Sequence, residues 1–203
     1  MTPVLLDLCC GLGGWTRGFQ AVGYECHGYD VKDWGYPGTL HLYDIRDTQP
    51  IIDMWRSKVD VIVASPPCTE FTVRDLPWSR NKGLPPPDLS IVQACFAIRE
   101  GIQPRVFVLE NVRGAQPYIG RAPVHRKSYY FWGDTALIPH LPQGHFKGVP
   151  FESWRANGNR VINVPNKSKE SISGTHPEMR ALIPWPLAYG LACLCYSGLR
   201  GGE

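Results

Sequence analysis

The chain has no apolar run of the roughly 18 residues that crossing a bilayer requires; the longest candidate, 187–199, is interrupted by Gly190 and Ser197. No spanning helix is expected. No cationic segment precedes the apolar N-terminal run and Asp7 interrupts it, so a secretory signal is not expected and a cytoplasmic setting is. Cysteine is not organised either: the seven thiols are odd in number and irregularly spaced, which excludes a disulfide framework and leaves reduced cysteine as the expectation. They show no metal-ligand spacing, and no metal is expected. Charge of one sign is also scarce, since 21 Lys+Arg against 18 Asp+Glu leave a net charge of only +3. Nucleic-acid binding is permitted by that balance but not demanded. Gly-x-Gly-x-x-Gly and the Lys-Ser/Thr of a phosphate-binding loop are both missing, so dinucleotide and nucleoside triphosphate readings lose ground.

What is present is enough for one globular domain: 203 residues, 43% hydrophobic and 19% charged. Val4 to Cys9 reads as a buried strand, closed by a turn containing Gly11, Gly13 and Gly14, and Trp15 to Val22 then has helical spacing. A second strand fits 24–29 with Asp30 at its end, and a helix near 49–58 leads to the apolar strand 59–64. Residues 89–101 read as a helix, 105–109 as a buried strand and 128–132 as a further strand. Strands alternating with helices predict an α/β fold with a doubly wound, mostly parallel sheet. Between Gly133 and Thr175 neither period persists, so 134–178 is expected to be a small loop-rich insertion. A final helix near 187–196, within a returning segment 179–197, completes a single domain. Charge is uneven along the chain: residues 121–170 hold eight basic and three acidic side chains.

Three strings carry chemistry. Asp7-Leu8-Cys9-Cys10-Gly11-Leu12-Gly13-Gly14 lies at the first strand's C-terminal end, where a doubly wound sheet opens its ligand crevice. Asp30 and Asp44 stand where the second and third strands should end; such carboxylates suit ribose hydroxyls and an adenine amino group. Next, Ala64-Ser65-Pro66-Pro67-Cys68-Thr69 follows the fourth strand directly, and its two prolines stiffen the backbone that carries the thiol. A cysteine so placed can serve as a nucleophile, whereas Cys9, Cys10, Cys26, Cys95, Cys193 and Cys195 read as small structural hydrophobes. Last, Val106-Phe107-Val108-Leu109-Glu110-Asn111-Val112-Arg113 ends an apolar strand on a carboxyl group, whose burial should raise its pKa and let it donate a proton. A turn cap or a pair with Arg113 is the alternative for that glutamate.

In this order and spacing the three strings resemble the first, fourth and sixth motifs of the cytosine-5 DNA methyltransferases, which use S-adenosylmethionine. The resemblance covers residues 4–135, with a weaker match at Ile183-Pro184 to the family's last motif. It implies a Rossmann-like methyltransferase fold and DNA as the partner, in an enzyme of the kind a phage or bacterium carries. It also implies roles. Cys68 would add to C6 of the cytosine, Glu110 would hold and protonate N3, and Arg126 would steady O2. Cys9, Gly11 and Gly14 would lie near the methionine part of the cofactor. Asp30 would take its ribose hydroxyls, Asp44 and Ile45 would contact its adenine, Pro67 would line the wall, and Val31 would also belong to the cofactor site. Arg74, Arg80 and Lys82 on the loop after Cys68, and Arg155 and Arg160 in the insertion, would meet the nucleic acid.

The chain departs from the family pattern in three ways. Only about 45 residues stand where members carry a larger recognition region. Gln-x-Arg-x-Arg is absent around Arg126, and Arg180-Ala181-Leu182 replaces the Gly-Asn-Ser of the last motif. The short region leaves two other readings open: the same chemistry on RNA or a free nucleotide, and a cofactor-binding subunit that needs a recognition partner. Retention of Cys68 and Glu110 argues against a silent module.

Overall fold

A computed structural model describes residues 2–75, 83–140 and 183–200, apart from the side chains of residues 75 and 200. Strands β1 (Val4–Leu8), β2 (Glu25–Asp30), β3 (Thr39–Leu42), β4 (Val61–Ala64), β5 (Val106–Asn111), β6 (Val124–Arg126) and β7 (Tyr129–Gly133) form one sheet in the order β3-β2-β1-β4-β5-β7-β6. The first five pair in parallel, and β7 joins β5 and β6 antiparallel. Helices α1 (Gly14–Gln20), α2 (Thr48–Trp55), α3 (Thr69–Asp75), α4 (Ser90–Ile102), α5 (Gln116–Ile119) and α6 (Trp185–Arg200) supply the covering layers and connections. The sheet is thus Rossmann-like and doubly wound, as the alternation of strands and helices predicts.

Near-continuous apolar runs make the central strands, because both sheet faces are covered. Leu6, Leu8, Ile62, Ala64, Phe107 and Leu109 point into a core closed by Ile51 and Ile52 of α2 and by Val92, Cys95 and Ile98 of α4. Leu5, Val61, Val63 and Val108 point the other way, against Trp15 and Phe19 of α1 and Leu187, Leu191 and Cys195 of α6. Gly18 permits that second layer: a Cβ there would lie 2.5 Å from backbone atoms of Ala188 and Tyr189.

The register sets the site. Leu8 is level with Tyr29 and with Ala64, and Ala64 with Leu109. The loop after β1, the end of β2, the Ser65-to-Cys68 segment and Glu110 consequently share one sheet edge. Four elements were not delineated from sequence: the four-residue β3, the three-residue β6, the four-residue α5, and α3, which occupies part of the proline-punctuated stretch expected to be loop. The last helix extends beyond its expected bounds at both ends. Among the described residues no helix is long and apolar enough to cross a membrane. Most of the expected insertion lies outside them.

Candidate active site

The turn after β1 runs through left-handed backbone at Cys9, Gly11 and Gly13, with φ of 57°, 50° and 73°. At Gly13 a side chain is excluded twice, since a Cβ would also sit 2.4 Å from the Pro37 ring. Above Gly11 the opposite holds: a Cβ would meet nothing within 4 Å among the described residues, so the turn leaves open space there. The Asp30 carboxylate ties this turn to β2, accepting the Gly11 N–H at 3.0 Å and the Lys32 N–H at 3.2 Å. Val31, next in sequence, is 73% exposed, an unusual apolar surface at a crevice edge.

Below the turn lies a buried polar chain that sequence reasoning did not assemble. The Thr16 hydroxyl donates to Asp7 Oδ2 at 2.8 Å and lies 2.6 Å from the Tyr36 hydroxyl. Asp7 Oδ1 has no hydrogen-bond partner, and burial pushes the Asp7 carboxyl up to about 8, against the opposing Thr16 bond. Asp7 is therefore neutral at pH 7, which makes its place in the core affordable.

Glu110 and Cys68 meet at the same edge. Burial pushes the Glu110 carboxyl up to about 8, with the Ser65 hydroxyl bonding to it and opposing the shift. That hydroxyl also accepts the Trp15 indole N–H at 3.0 Å, so α1 braces the residue that holds Glu110. Burial likewise raises the Cys68 thiol; Thr72 opposes this, and the nearby Glu110 carboxyl adds to it when ionised. A neutral Glu110 thus removes one obstacle to a thiolate at Cys68. The segment carrying the sulfur is fixed from behind: Ser65 N–H donates to Leu8 O at 3.1 Å, and Asn111 Nδ2 to Pro66 O at 3.0 Å. Ahead of it, the Cys68 carbonyl accepts the Phe71 and Thr72 N–H groups as α3 begins. Trp15, Ser65, Thr72 and Asn111 were not singled out from sequence. Asn111 had a readable signal, a second polar residue ending an apolar strand.

The other expected residues divide. Pro67 is exposed beside Cys68. Asp44 is at the edge, but Arg46 grips it with side chain and backbone and holds its carboxyl down at about 2. Ile45 is 4% exposed and packed in the core with Ile51 and Ile52, which leaves its backbone, rather than its side chain, to meet a base. Arg126 is already engaged. Its Nε donates to Pro139 O at 2.9 Å, Nη2 to Ile138 O at 3.1 Å and Nη1 to His125 O at 3.0 Å. The chain leaving β7 presents carbonyls without ladder partners, and this guanidinium satisfies them, so contact with a base requires exchange of those partners. Arg74 is held by Glu70 at 2.8 Å and by the Pro85 carbonyl at 2.6 Å, so a phosphate contact requires exchange of those partners. Arg80, Lys82, Arg155 and Arg160 lie outside the described residues.

Comparison with known proteins places this geometry in a family. Residues 4–117 match the model of the C-5 cytosine-specific DNA methylases. A type II methyltransferase of Arthrospira platensis, M.AplI, is 34% identical over 117 residues, covering 55% of this chain and 32% of the relative. M.FnuDI of Fusobacterium nucleatum is 30% identical over 118 residues, covering 54% and 32%. M.HgiDI of Herpetosiphon aurantiacus is 25% identical over 159 residues, covering 71% and 48%. The chain thus spans from about a third to about a half of the curated relatives it matches. Among solved structures, a Spodoptera frugiperda DNMT2 aligns at TM-score 0.40 and 20% identity, covering 58% of this chain and 38% of that one. With the family model matching more than half of its length, and with the three motifs gathered on one sheet edge, the chain belongs to the C-5 cytosine-specific DNA methylases.

Proposed function

We propose that this chain transfers a methyl group from S-adenosylmethionine to C5 of cytosine in DNA through a covalent adduct on Cys68. The observation that carries the reading is the placing of one thiol beside one buried, neutral carboxyl group at the crevice edge of the sheet. Cytosine C5 is a poor nucleophile until a group adds at C6. In the first step the Cys68 sulfur bonds to C6, the C5–C6 π pair shifts to C5, and Glu110 passes its proton to N3 to neutralise the ring. When bound, S-adenosylmethionine supplies an electrophilic methyl group. Afterwards C5 loses its proton to solvent, the C6–sulfur bond breaks to restore the double bond, and N3 returns its proton to Glu110. Both residues end as they began.

The residues at the edge fit that cofactor. Open space over Gly11 admits the methionine part, with Cys9 and Gly14 on the same turn. Asp30 keeps lone pairs for ribose hydroxyls while anchoring the turn, Val31 offers an apolar face to the base, Asp44 its carboxylate, and Pro67 a wall. A cytosine stacked in a duplex must be swung out to meet Cys68. The relatives' printed name, type II methyltransferase, accords with this reading.

The deciding experiment incubates the chain with labelled cofactor and, separately, duplex DNA, single-stranded DNA, tRNA and dCMP. Label should enter DNA and disappear with Cys68→Ala, while that variant still binds the cofactor. Label in tRNA or dCMP alone would reassign the acceptor, and cofactor binding without transfer would make the chain a subunit. Full activity in Cys68→Ala would remove the mechanism.

A further inference from the structure

Beyond the catalytic edge, an open recess of about 600 Å³ is lined by Gln116, Arg121, Ala122, Pro123, His125 and Tyr130. No carboxylate is among the described residues that line it. Its position follows from the register: Tyr130 is paired across the sheet with Asn111, the residue after Glu110, so it lies on the face opposite the catalytic acid. Asn111 also clamps Pro66, two residues before the nucleophile. The recess thus lies at the same end of the sheet as Glu110, on the other face.

The backbone around Arg121 is pinned. Gly120 N–H donates to Gln116 O at 2.9 Å, the Trp132 indole donates to Gly120 O at 2.9 Å, and Ala122 N–H donates to Gln116 Oε1 at 3.2 Å. Arg121 is exposed on this fixed loop, and among the described residues its guanidinium has no hydrogen-bond or ion-pair partner. That contrasts with Arg126, Arg74 and Arg46, each already bonded to oxygen atoms of the chain. Across the recess the His125 ring stacks on Tyr130, centroids 5.2 Å apart and planes 18° apart, which fixes an exposed imidazole whose nitrogens have no partner among the described residues. A fork of guanidinium donors on a rigid loop, sharing one recess with an imidazole and with no carboxylate among the described lining residues, matches a phosphate oxygen pair.

We infer that this recess is a phosphate subsite, in which Arg121 and His125 hold a backbone phosphodiester of the acceptor strand. The inference rests on the DNA reading for the source of the phosphate. Holding the strand there would orient the duplex relative to Cys68 without reading its sequence.

The test measures duplex binding by fluorescence anisotropy across a salt series for the intact chain, Arg121→Gln, Arg121→Lys and His125→Gln. Each neutralised phosphate contributes close to one power of salt dependence. Arg121→Gln should weaken binding roughly three- to tenfold at low salt and flatten the slope of log Kd against log salt by about one. Arg121→Lys should keep most of the slope, since the charge survives, and His125→Gln should weaken binding to a smaller extent. Cofactor affinity, read by calorimetry, should be the same throughout. Unchanged DNA affinity and slope in Arg121→Gln would overturn the subsite while leaving the methyltransferase reading intact. An equal loss of cofactor affinity would also overturn it, by showing a general disturbance. Inorganic phosphate titrated against the His125 ring signals, with an Arg121-dependent response but no effect of Arg121→Gln on DNA, would assign the recess to a free anion and overturn the strand contact. An intact chain that neither binds nor methylates DNA would overturn the functional reading and the strand contact with it.

Discussion

Replacing Glu110 by Gln keeps the side chain's size and a hydrogen-bond donor but removes the proton to be transferred. The carboxyl titrates at about 8, and the Cys68 thiol above the ordinary 9.0. The productive arrangement has the proton on Glu110 and none on sulfur, the reverse of the order in which the two let go. It shares its proton count with ionised Glu110 beside neutral Cys68. With the thiol above the carboxyl, it is the minority form of the two. The profile of kcat/KM, which reports the free enzyme, should therefore be a bell. Its rising limb lies at about pH 8, and its falling limb lies above 9.0. With Gln at 110 only the thiol titrates. The rising limb should then follow the thiol alone, which burial raises but which no longer feels an ionised Glu110, and the falling limb should vanish. The maximum should drop by roughly 10²- to 10⁴-fold, the usual contribution of a general acid. Initial rates of label transfer into a cytosine-containing duplex, at subsaturating DNA and pH 6 to about 10.5, give both quantities. A Gln variant with the same two limbs, or a rate within about threefold of the parent, would refute the assignment of the acid to Glu110.

Asp7 offers a stability test. Its folded pKa of about 8 exceeds the ordinary 3.8, so between these values the folded state holds the extra proton and stability falls as pH rises. The group contributes a slope of up to about 1.4 kcal/mol per pH unit, and Asp7→Asn should flatten urea midpoints measured from pH 5 to about 8; an unchanged slope would place the titration elsewhere. Asp30→Ala removes the acceptor that ties Gly11 and Lys32, and the cofactor Kd by calorimetry should rise about tenfold or more, since hydrogen bonds to a charged group contribute about 1.5–3 kcal/mol each. An unchanged Kd would count against its ribose role. Gly18→Ala gains about 1 kcal/mol of helix propensity but drives a methyl into the α6 backbone. A net loss of about 1–3 kcal/mol, seen as a lower urea midpoint at constant m, is expected; a gain would show that α1 and α6 can part freely.

The sheet was legible because its central strands are buried on both sides and so read as unbroken apolar runs ending in glycine, proline or a carboxylate. β3 was harder, since Thr39-Leu40-His41-Leu42 lies at a sheet edge and mixes polar with apolar residues. α3 was hidden by Pro66 and Pro67, whose presence signals an interrupted backbone, although the helix begins immediately beyond Cys68. Cys68, Glu110 and Asp30 were found because each is a chemically exceptional residue at a strand end. Their supports were not, because Trp15 to Ser65 and Asn111 to Pro66 join residues far apart in sequence. Arg126 shows the limit from the other side: its position in the chain announces a cation, but only the path of residues 138 and 139 decides which oxygens claim it.

The clamp of Asn111 on Pro66 has one more consequence. With the backbone just before Cys68 bonded to the sheet, lengthening or trimming the chain beyond residue 75 need not shift the thiol that we propose as the nucleophile. On the proposed reading, heredity can therefore experiment with how the polymer is embraced while that thiol stays where it is, and the two properties are free to diverge at separate rates.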